Sequence, residues 1–210
     1  MKNLSIKRFL NKIFYNPKFK IKGKNNIINI HESAYTKRVR IHIFGNNNTI
    51  QIEEGTYLHD FKIIIGFPNC PIENCTIKIG KKTSFNSAQI QIGESNSQID
   101  IGPNCRFAHG IEINCTDHHS ILDENGQLLN KGEYIKIGEH VWVCRAATIM
   151  KNTTIPNGCV VATRSVVTKN FDKENCIIAG CPAKIVKENI RWDRERPQNY
   201  INKISQTENL

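Results

Sequence analysis

The chain has 210 residues, with 29 Lys and Arg against 19 Asp and Glu for a formal net charge of +10, and it is 39% hydrophobic and 23% charged. That balance fits one folded domain with a sizeable core, which excludes a disordered or collagen-like chain. No run of 18 apolar residues occurs, and the N-terminal MKNLSIKRFLNKIFYNPKFKIK interrupts its apolar residues with Lys, Asn and Arg, so neither a membrane span nor a secretory leader is expected.

Residues 3 to 15 set Leu4, Ile6, Phe9, Leu10, Ile13 and Phe14 among Lys and Arg, a pattern that predicts an amphipathic helix within a basic N-terminal cap, 1–26. Capping is the expected use of that segment, with at most peripheral membrane contact. From Ile27 onward a unit aliphatic-x-Ile recurs at Ile28-Asn29-Ile30, Ile50-Gln51-Ile52, Ile77-Lys78-Ile79, Ile99-Asp100-Ile101 and Ile135-Lys136-Ile137. The steps from Ile30 to Ile52, Ile79, Ile101, Ile137 and Ile155 are 22, 27, 22, 36 and 18 residues, each of them 18 or more.

The origin of 18 is visible downstream. Ile137, Val143, Ile149, Ile155, Val161 and Val167 repeat every six residues without a slip, and the slots between them hold the small or β-branched Val141, Ala147, Thr153, Cys159 and Ser165. A helix drifts out of phase with a period of six, whereas a strand of period two keeps every sixth side chain on one face. Three hexads make one turn of a three-sided coil, and such coils stack in parallel about 4.8 Å apart into a solenoid. Corners such as Gly45-Asn46-Asn47-Asn48 suit it, since Gly and Asn tolerate positive φ.

The 36-residue step needs a decision between two coils and one coil with an excursion. Continued from Ile101, Phe107 and Ile113, the hexad puts His119, Asn125 and Lys131 in inward slots, where they cannot fill an apolar core. Residues 117–134 are therefore an excursion loop turning at Glu124-Asn125-Gly126, and a long loop on a compact solenoid is characteristically functional. Beyond the last coil, residues 183 to 195 place Ala183, Val186 and Ile190 on one helical face, so 182–210 is expected to be a C-terminal helix and tail after a catalytic domain at 27–181.

The run Ile137-Gly-Glu-His-Val-Trp-Val-Cys-Arg-Ala-Ala-Thr-Ile-Met-Lys-Asn-Thr-Thr-Ile-Pro-Asn-Gly-Cys-Val-Val, the Ser165-Val-Val-Thr-Lys segment and Ala179-Gly-Cys-Pro-Ala-Lys, in that order, resemble the hexapeptide-repeat acyltransferases. Among these the chain is most similar to the sugar and capsular polysaccharide O-acetyltransferases, whose loop carries an Asp-x-His-Ser-Ile run like Asp117-His118-His119-Ser120-Ile121. The resemblance spans about Ile27 to Arg191. It implies a left-handed parallel β-helix, a homotrimer, acetyl-CoA bound between neighbouring subunits and a sugar hydroxyl as acceptor. Spacing alone would not give that hand, which breaks the usual crossover rule.

Acyl transfer from a thioester to a hydroxyl needs a base, and imidazole, titrating near ~6.5, is suited to it. By its match to the family's loop histidine the base is His119, with His118 as the alternative and Asp117 as a possible partner that fixes the tautomer. Trp142, Ala162 and Ser165 are candidates for the cofactor cleft, and Arg164, Lys169, Lys184 and Arg191 for the CoA phosphates. Ser165, Cys144 and Cys159 are rejected as nucleophiles because no acyl-enzyme constellation follows from their spacing, which leaves direct attack.

The cysteines Cys70, Cys75, Cys105, Cys115, Cys144, Cys159, Cys176 and Cys181 lack CxxC spacing and read as reduced cytoplasmic thiols, with no metal expected. Basic clusters at Lys37–Arg40 and 184–196 come without an aromatic-basic signature, so nucleic acid is not an expected partner. Rival readings are a serine or nucleotide-sugar acetyltransferase, a metal enzyme like the γ-type carbonic anhydrases using His109, His118, His119 and His140, and a non-catalytic assembly solenoid.

Overall fold

A computed structural model describes residues 16–207. The helix expected over 3–15 lies outside these residues. The chain winds around a triangular lumen, visiting three sheets in turn. The first face stacks Lys18–Lys22, Arg40–Asn46, Phe61–Ile65, Ala88–Ile92, Ile111–Cys115, Thr148–Met150 and Val166–Val167. The second stacks Ile27–Ile30, Thr49–Ile52, Thr76–Ile79, Gln98–Ile101, Tyr134–Ile137 and Thr153–Ile155. The third stacks Tyr35–Lys37, Tyr57–His59, Ser84–Phe85, Arg106–Phe107, Trp142–Val143, Val160–Val161 and Ile177–Gly180, all in parallel.

The aliphatic series read from the sequence is the register of the second face. Ile30 pairs with Ile52, Ile52 with Ile79, Ile79 with Ile101, Ile101 with Ile137, and Ile137 with Ile155. The 36-residue step is thus one coil with an excursion. Every hexad residue from Ile137 to Val167 is buried, as are the small slots Val141, Ala147, Thr153, Cys159 and Ser165. Side chains of consecutive coils stack like on like, so the lumen is a column of Ile with a phenyl stack, Phe85 on Phe107 at 4.1 Å.

Corners reverse the chain through the left-handed region, and Asn25, Asn47, Asn74, Asn96, Asn104, Asn152 and Asn175 all have positive φ. Their side chains also run from coil to coil, as in Asn25 to Asn47 and Asn74 to Asn96, both 3.2 Å. Gly45 is required by a close approach: a Cβ there would lie 1.7 Å from the Ile72 carbonyl oxygen, because Ile72–Glu73 pairs directly with Gly45–Asn46.

The segment read as helical over 183–195 is a strand and a strap instead. Ala183–Lys187 pairs antiparallel with Ile177–Gly180, the two joined through the cis Cys181–Pro182 peptide. The open edge of the last coil offers unpaired backbone groups, and Ala183 and Ile185 face the core while Lys184 and Val186 face out, a period of two. The chain then runs back along the solenoid, with Trp192 buried, and among the described residues Pro197–Thr207 alone is helical, a segment we label α1. Among the described residues no helix is long and apolar enough to cross a membrane.

Candidate active site

The prism changes width at the excursion. Before it, the first face carries three inward side chains per coil, such as Phe61, Ile63 and Ile65 or Ile111, Ile113 and Cys115. After it, two suffice, Ala147 with Ile149 and Ser165 with Val167. The step leaves a ledge at the corner between first and second faces, where Glu94, Thr116, Asp117 and Lys151 meet and from which the excursion departs.

At this ledge the backbone N–H of His118 donates to Thr116 Oγ1 at 3.0 Å, and the Thr116 hydroxyl donates to Glu94 Oε1 at 3.0 Å. His118 itself is held at φ 66, with its ring 5.5 Å from that of Phe67, which sits on the small excursion between Ile65 and Ile72. Lys151 ion-pairs with Asp117, and Asn130 donates to Asp117 Oδ2 at 3.0 Å and to the His119 carbonyl at 2.8 Å. Asp117 therefore clamps the root of the loop through Lys151 and Asn130, and its carboxylate is spent there. Both imidazoles are exposed, displayed by a backbone that is tied down on either side.

Burial pushes the Asp117 carboxyl up, but hydrogen bonds from Lys151 and Asn130 outweigh it and leave the group below its usual range. Glu94 goes the other way. Burial is the largest influence and raises it, against the Thr116 hydrogen bond and the Lys151 charge, and its Oε2 is buried with no protein partner. The rest of the loop is a hairpin-like arm, with Leu122 bridged to Leu128 and the Asp123 carboxylate accepting from the Asn125 and Gln127 amides around Gly126. Its Ile121, Leu122, Leu128 and Leu129 are exposed.

The other expected residues lie elsewhere on the prism. Trp142 projects from the third face, 38% exposed between the buried Val141 and Val143, with its ring 5.9 Å from Trp192. Ala162 and Arg164 form the corner leaving that face, Arg164 with φ 57 and its side chain exposed. Ser165 has its side chain in the core, 1% exposed, where its Oγ accepts from the Gly180 amide at 3.1 Å, so its hydroxyl serves the fold rather than a cofactor. Lys169 extends over the Phe171 ring, while Lys184 and Arg191 are exposed on the hairpin and the strap. His140 stacks on Trp192 at 4.1 Å, and Trp192 Nε1 donates to the His140 carbonyl.

All eight cysteines carry free thiols, and burial raises Cys105 and Cys115 to about 12 and Cys144 to about 11, so none of these three offers a thiolate nucleophile. Among the described residues no three His, Cys, Asp or Glu side chains gather as an ion site. Sequence reading did not find Glu94, Thr116, Asn130 or Lys151. The available signal was register: Ile92 pairs with Cys115, which aligns Glu94 with Asp117 one coil apart.

A three-sided parallel solenoid with hexad coils, a histidine-bearing excursion and an antiparallel terminal hairpin defines a hexapeptide-repeat β-helix. No protein-family model matches the chain. It is 39% identical over 123 residues to the polysialic acid O-acetyltransferase of Neisseria meningitidis, covering 58% of this chain and 57% of that protein. It is 32% identical over 117 residues to the polysialic acid O-acetyltransferase of Escherichia coli O1:K1 / APEC, covering 55% of this chain and 38% of that one. The chain thus spans less than two thirds of either relative in these matches. The crystal structure of the polysialic acid O-acetyltransferase OatWY is similar at a TM-score of 0.76 and 32% identity, over 92% of this chain and 99% of that one. That of the polySia-specific acetyltransferase NeuO has a TM-score of 0.66 at 23% identity over 90% of this chain and 98% of that one, a likeness of fold. The chain belongs to the hexapeptide-repeat family of sugar O-acetyltransferases, and its coil is the left-handed parallel β-helix that the resemblance implied.

Proposed function

We propose that this chain is an acetyl-CoA-dependent O-acetyltransferase acting on a sugar hydroxyl of a surface polysaccharide of capsule or lipopolysaccharide type, an anionic one such as polysialic acid. The observation that carries the reading is the pair His118-His119, displayed on a clamped ledge of a coil that overlays a polysialic acid O-acetyltransferase nearly end to end. One imidazole, His119 with His118 as the alternative, takes the proton of the acceptor hydroxyl while that oxygen attacks the thioester carbonyl. The C–S bond breaks, the acetyl group passes to the sugar oxygen, and the sulfur leaves to become the free thiol of CoA.

Asp117 acts as a positioning residue through Lys151 and Asn130. Trp142 and Ala162 border the cofactor arm, and the exposed cations Arg164, Lys169, Lys184 and Arg191 take the CoA phosphates. The histidines sit at the corner between first and second faces, and Trp142 sits on the third, so one chain does not gather the site. We therefore infer a homotrimer with clefts between neighbours, a reading supported by the four exposed apolar residues of the loop arm. The catalytic coil extends beyond the expected 27–181 at its N-terminal side, because Lys18–Lys22 stacks on Arg40–Asn46 as the first strand of the first face, and free thiols favour a cytoplasmic location.

The test is thiol release from acetyl-CoA in the presence of a panel of bacterial glycans. Wild type releases thiol only with its acceptor, and one of His119→Ala and His118→Ala loses about 10²–10⁴ in rate while the other retains most of it. Absence of glycan-dependent release by wild type, or full rate in both variants, would overturn the reading.

A further inference from the structure

The outward residues of the third face form a row of which the acyl-transfer reading uses only the last, Trp142. Tyr35, Tyr57, Ser84, Arg106 and Trp142 are register partners in consecutive coils, about 19 Å from end to end at the usual interstrand spacing. Tyr35 and Tyr57 stack with centroids 4.5 Å apart and planes parallel within 1°. The returning C-terminal strap lies alongside, and Arg194 Nη2 donates to the Lys82 carbonyl at 3.1 Å and the Asn104 carbonyl at 3.0 Å, bridging two coils.

Between the row and the strap is a cleft of about 520 Å³ lined by Tyr57, Lys82, Ser84, Asn86, Arg106 and Arg194, with Gly55 at its rim. Three cations and no carboxylate line it, and among the described residues neither Lys82, Arg106 nor Arg194 is in an ion pair. The contrast with the adjoining corner is clear, because there Arg38 is neutralised by Asp60. Holding Arg106 beside Arg194 has an electrostatic cost: burial first, then the Arg106 charge, lowers the Arg194 guanidinium from its usual value. An unscreened like-charge pair, an amide, a hydroxyl and an aromatic ring together offer what a carboxylated sugar uses: charge-assisted bonds to its carboxylate, hydrogen bonds to its hydroxyls and a flat surface for its ring.

We propose that this cleft is a subsite for a carboxylate-bearing sugar residue of a polymeric acceptor, and that the row from Tyr35 to Trp142 is the track along which the polymer lies. The subsite rests on the acyl-transfer reading only for what is done to the polymer at Trp142's end of the track. A linear anionic glycan fits the geometry because the ladder repeats along one axis over five coils, longer than a single sugar requires. Its function is to hold the polymer while its hydroxyls are presented one after another to the histidine site.

Direct binding tests the subsite apart from catalysis. The full chain and the variants Lys82→Gln with Arg106→Gln, and Tyr57→Ala, are titrated calorimetrically with polysialic acid of graded length, with neutral dextran and with polyglutamate, after equal melting temperatures establish that the variants fold. Wild type binds longer polysialic acid more tightly, the double variant loses about tenfold or more, and Tyr57→Ala weakens polysialic acid without altering polyglutamate. In the transfer assay KM for the polymer rises in the double variant, while KM for acetyl-CoA and the rate with a single-sugar acceptor stay at wild-type values. Unaltered polysialic acid binding by the double variant, no binding by wild type, or polyglutamate held as tightly as the glycan each overturns the subsite. Loss of glycan binding in the variants, with no thiol release from wild type on any acceptor, keeps the subsite and overturns acyl transfer instead.

Discussion

The coils before the excursion and those after it solve the same packing problem with different cross-sections. From Ile41 to Ile52 and from Ile90 to Ile101 the chain takes eleven residues around the corner between first and second faces, whereas from Ile149 to Ile155 it takes six. The wider lumen is filled by Phe61, Phe85 and Phe107, and the narrower one by Val143, Val161, Ala147 and Ser165. A tube closed by hydrogen bonds in both halves can change calibre only by shedding inward side chains, and polar groups collect at the step because the corner residues of the wide coil have no coil directly above them. The lesson is that the ledge bearing the histidine loop is a consequence of the mismatch, with Glu94 and Asp117 on the wide side and Lys151 on the narrow one.

The largest effect expected from this contrast is in the core. Phe107→Ala, in the wide lumen between Phe85 and Val143, costs about 3–5 kcal/mol, while Val143→Ala, one coil later, costs about 2 kcal/mol because fewer atoms leave the core. Urea unfolding of the two variants measures the difference, and equal costs would mean that the two calibres pack alike.

A smaller effect belongs to the ledge itself. Lys151→Met leaves the Asp117 carboxylate, 23% exposed, without its cation and costs about 1–3 kcal/mol of stability. It also lowers the rate of acyl transfer by releasing the loop root, whereas Lys151→Arg restores much of both. Stability and thiol release measured on the same samples check this, and a Lys151→Met protein with wild-type transfer would separate the ledge from function.

The smallest effect is a pH dependence with two opposed signs. Asp117 is held below its ordinary 3.8, so its stabilisation is in place above that pH and is lost as pH falls through its lower folded value. Glu94 is held above its ordinary 4.5, so its contribution is complete below that pH and fades as pH rises through its higher folded value. Together they favour the native state most near pH 4. Glu94→Gln removes the second component, and its melting temperature is expected to gain on wild type between pH 4 and pH 7. A difference that does not vary over that range would show that the buried Oε2 carries no ionisation penalty.

Much of this was legible in the chain because a strand places every second side chain on one face, so residues that stack in space recur in sequence at fixed intervals. The Ile series gave the register of the second face, and the polar residues landing in inward slots at 119, 125 and 131 located the excursion. Where the period failed, reading failed with it. Ala183, Val186 and Ile190 have helical spacing, yet the free edge of the last coil captured the segment as a strand, a decision made by unpaired backbone groups that no side-chain pattern reports.

By itself, then, the sequence determined the three-sided coil, its inward residues and the loop that bears His118 and His119, since these depend on local periodicity and on the cost of burying polar groups. Only the tertiary structure decided who clamps that loop and what lines the third face. Glu94, Asp117 and Lys151, like Tyr57, Arg106 and Arg194, are 20 or more residues apart and meet because coils stack. Which corner of one coil lies over which corner of the next depends on the accumulated length of every loop between them.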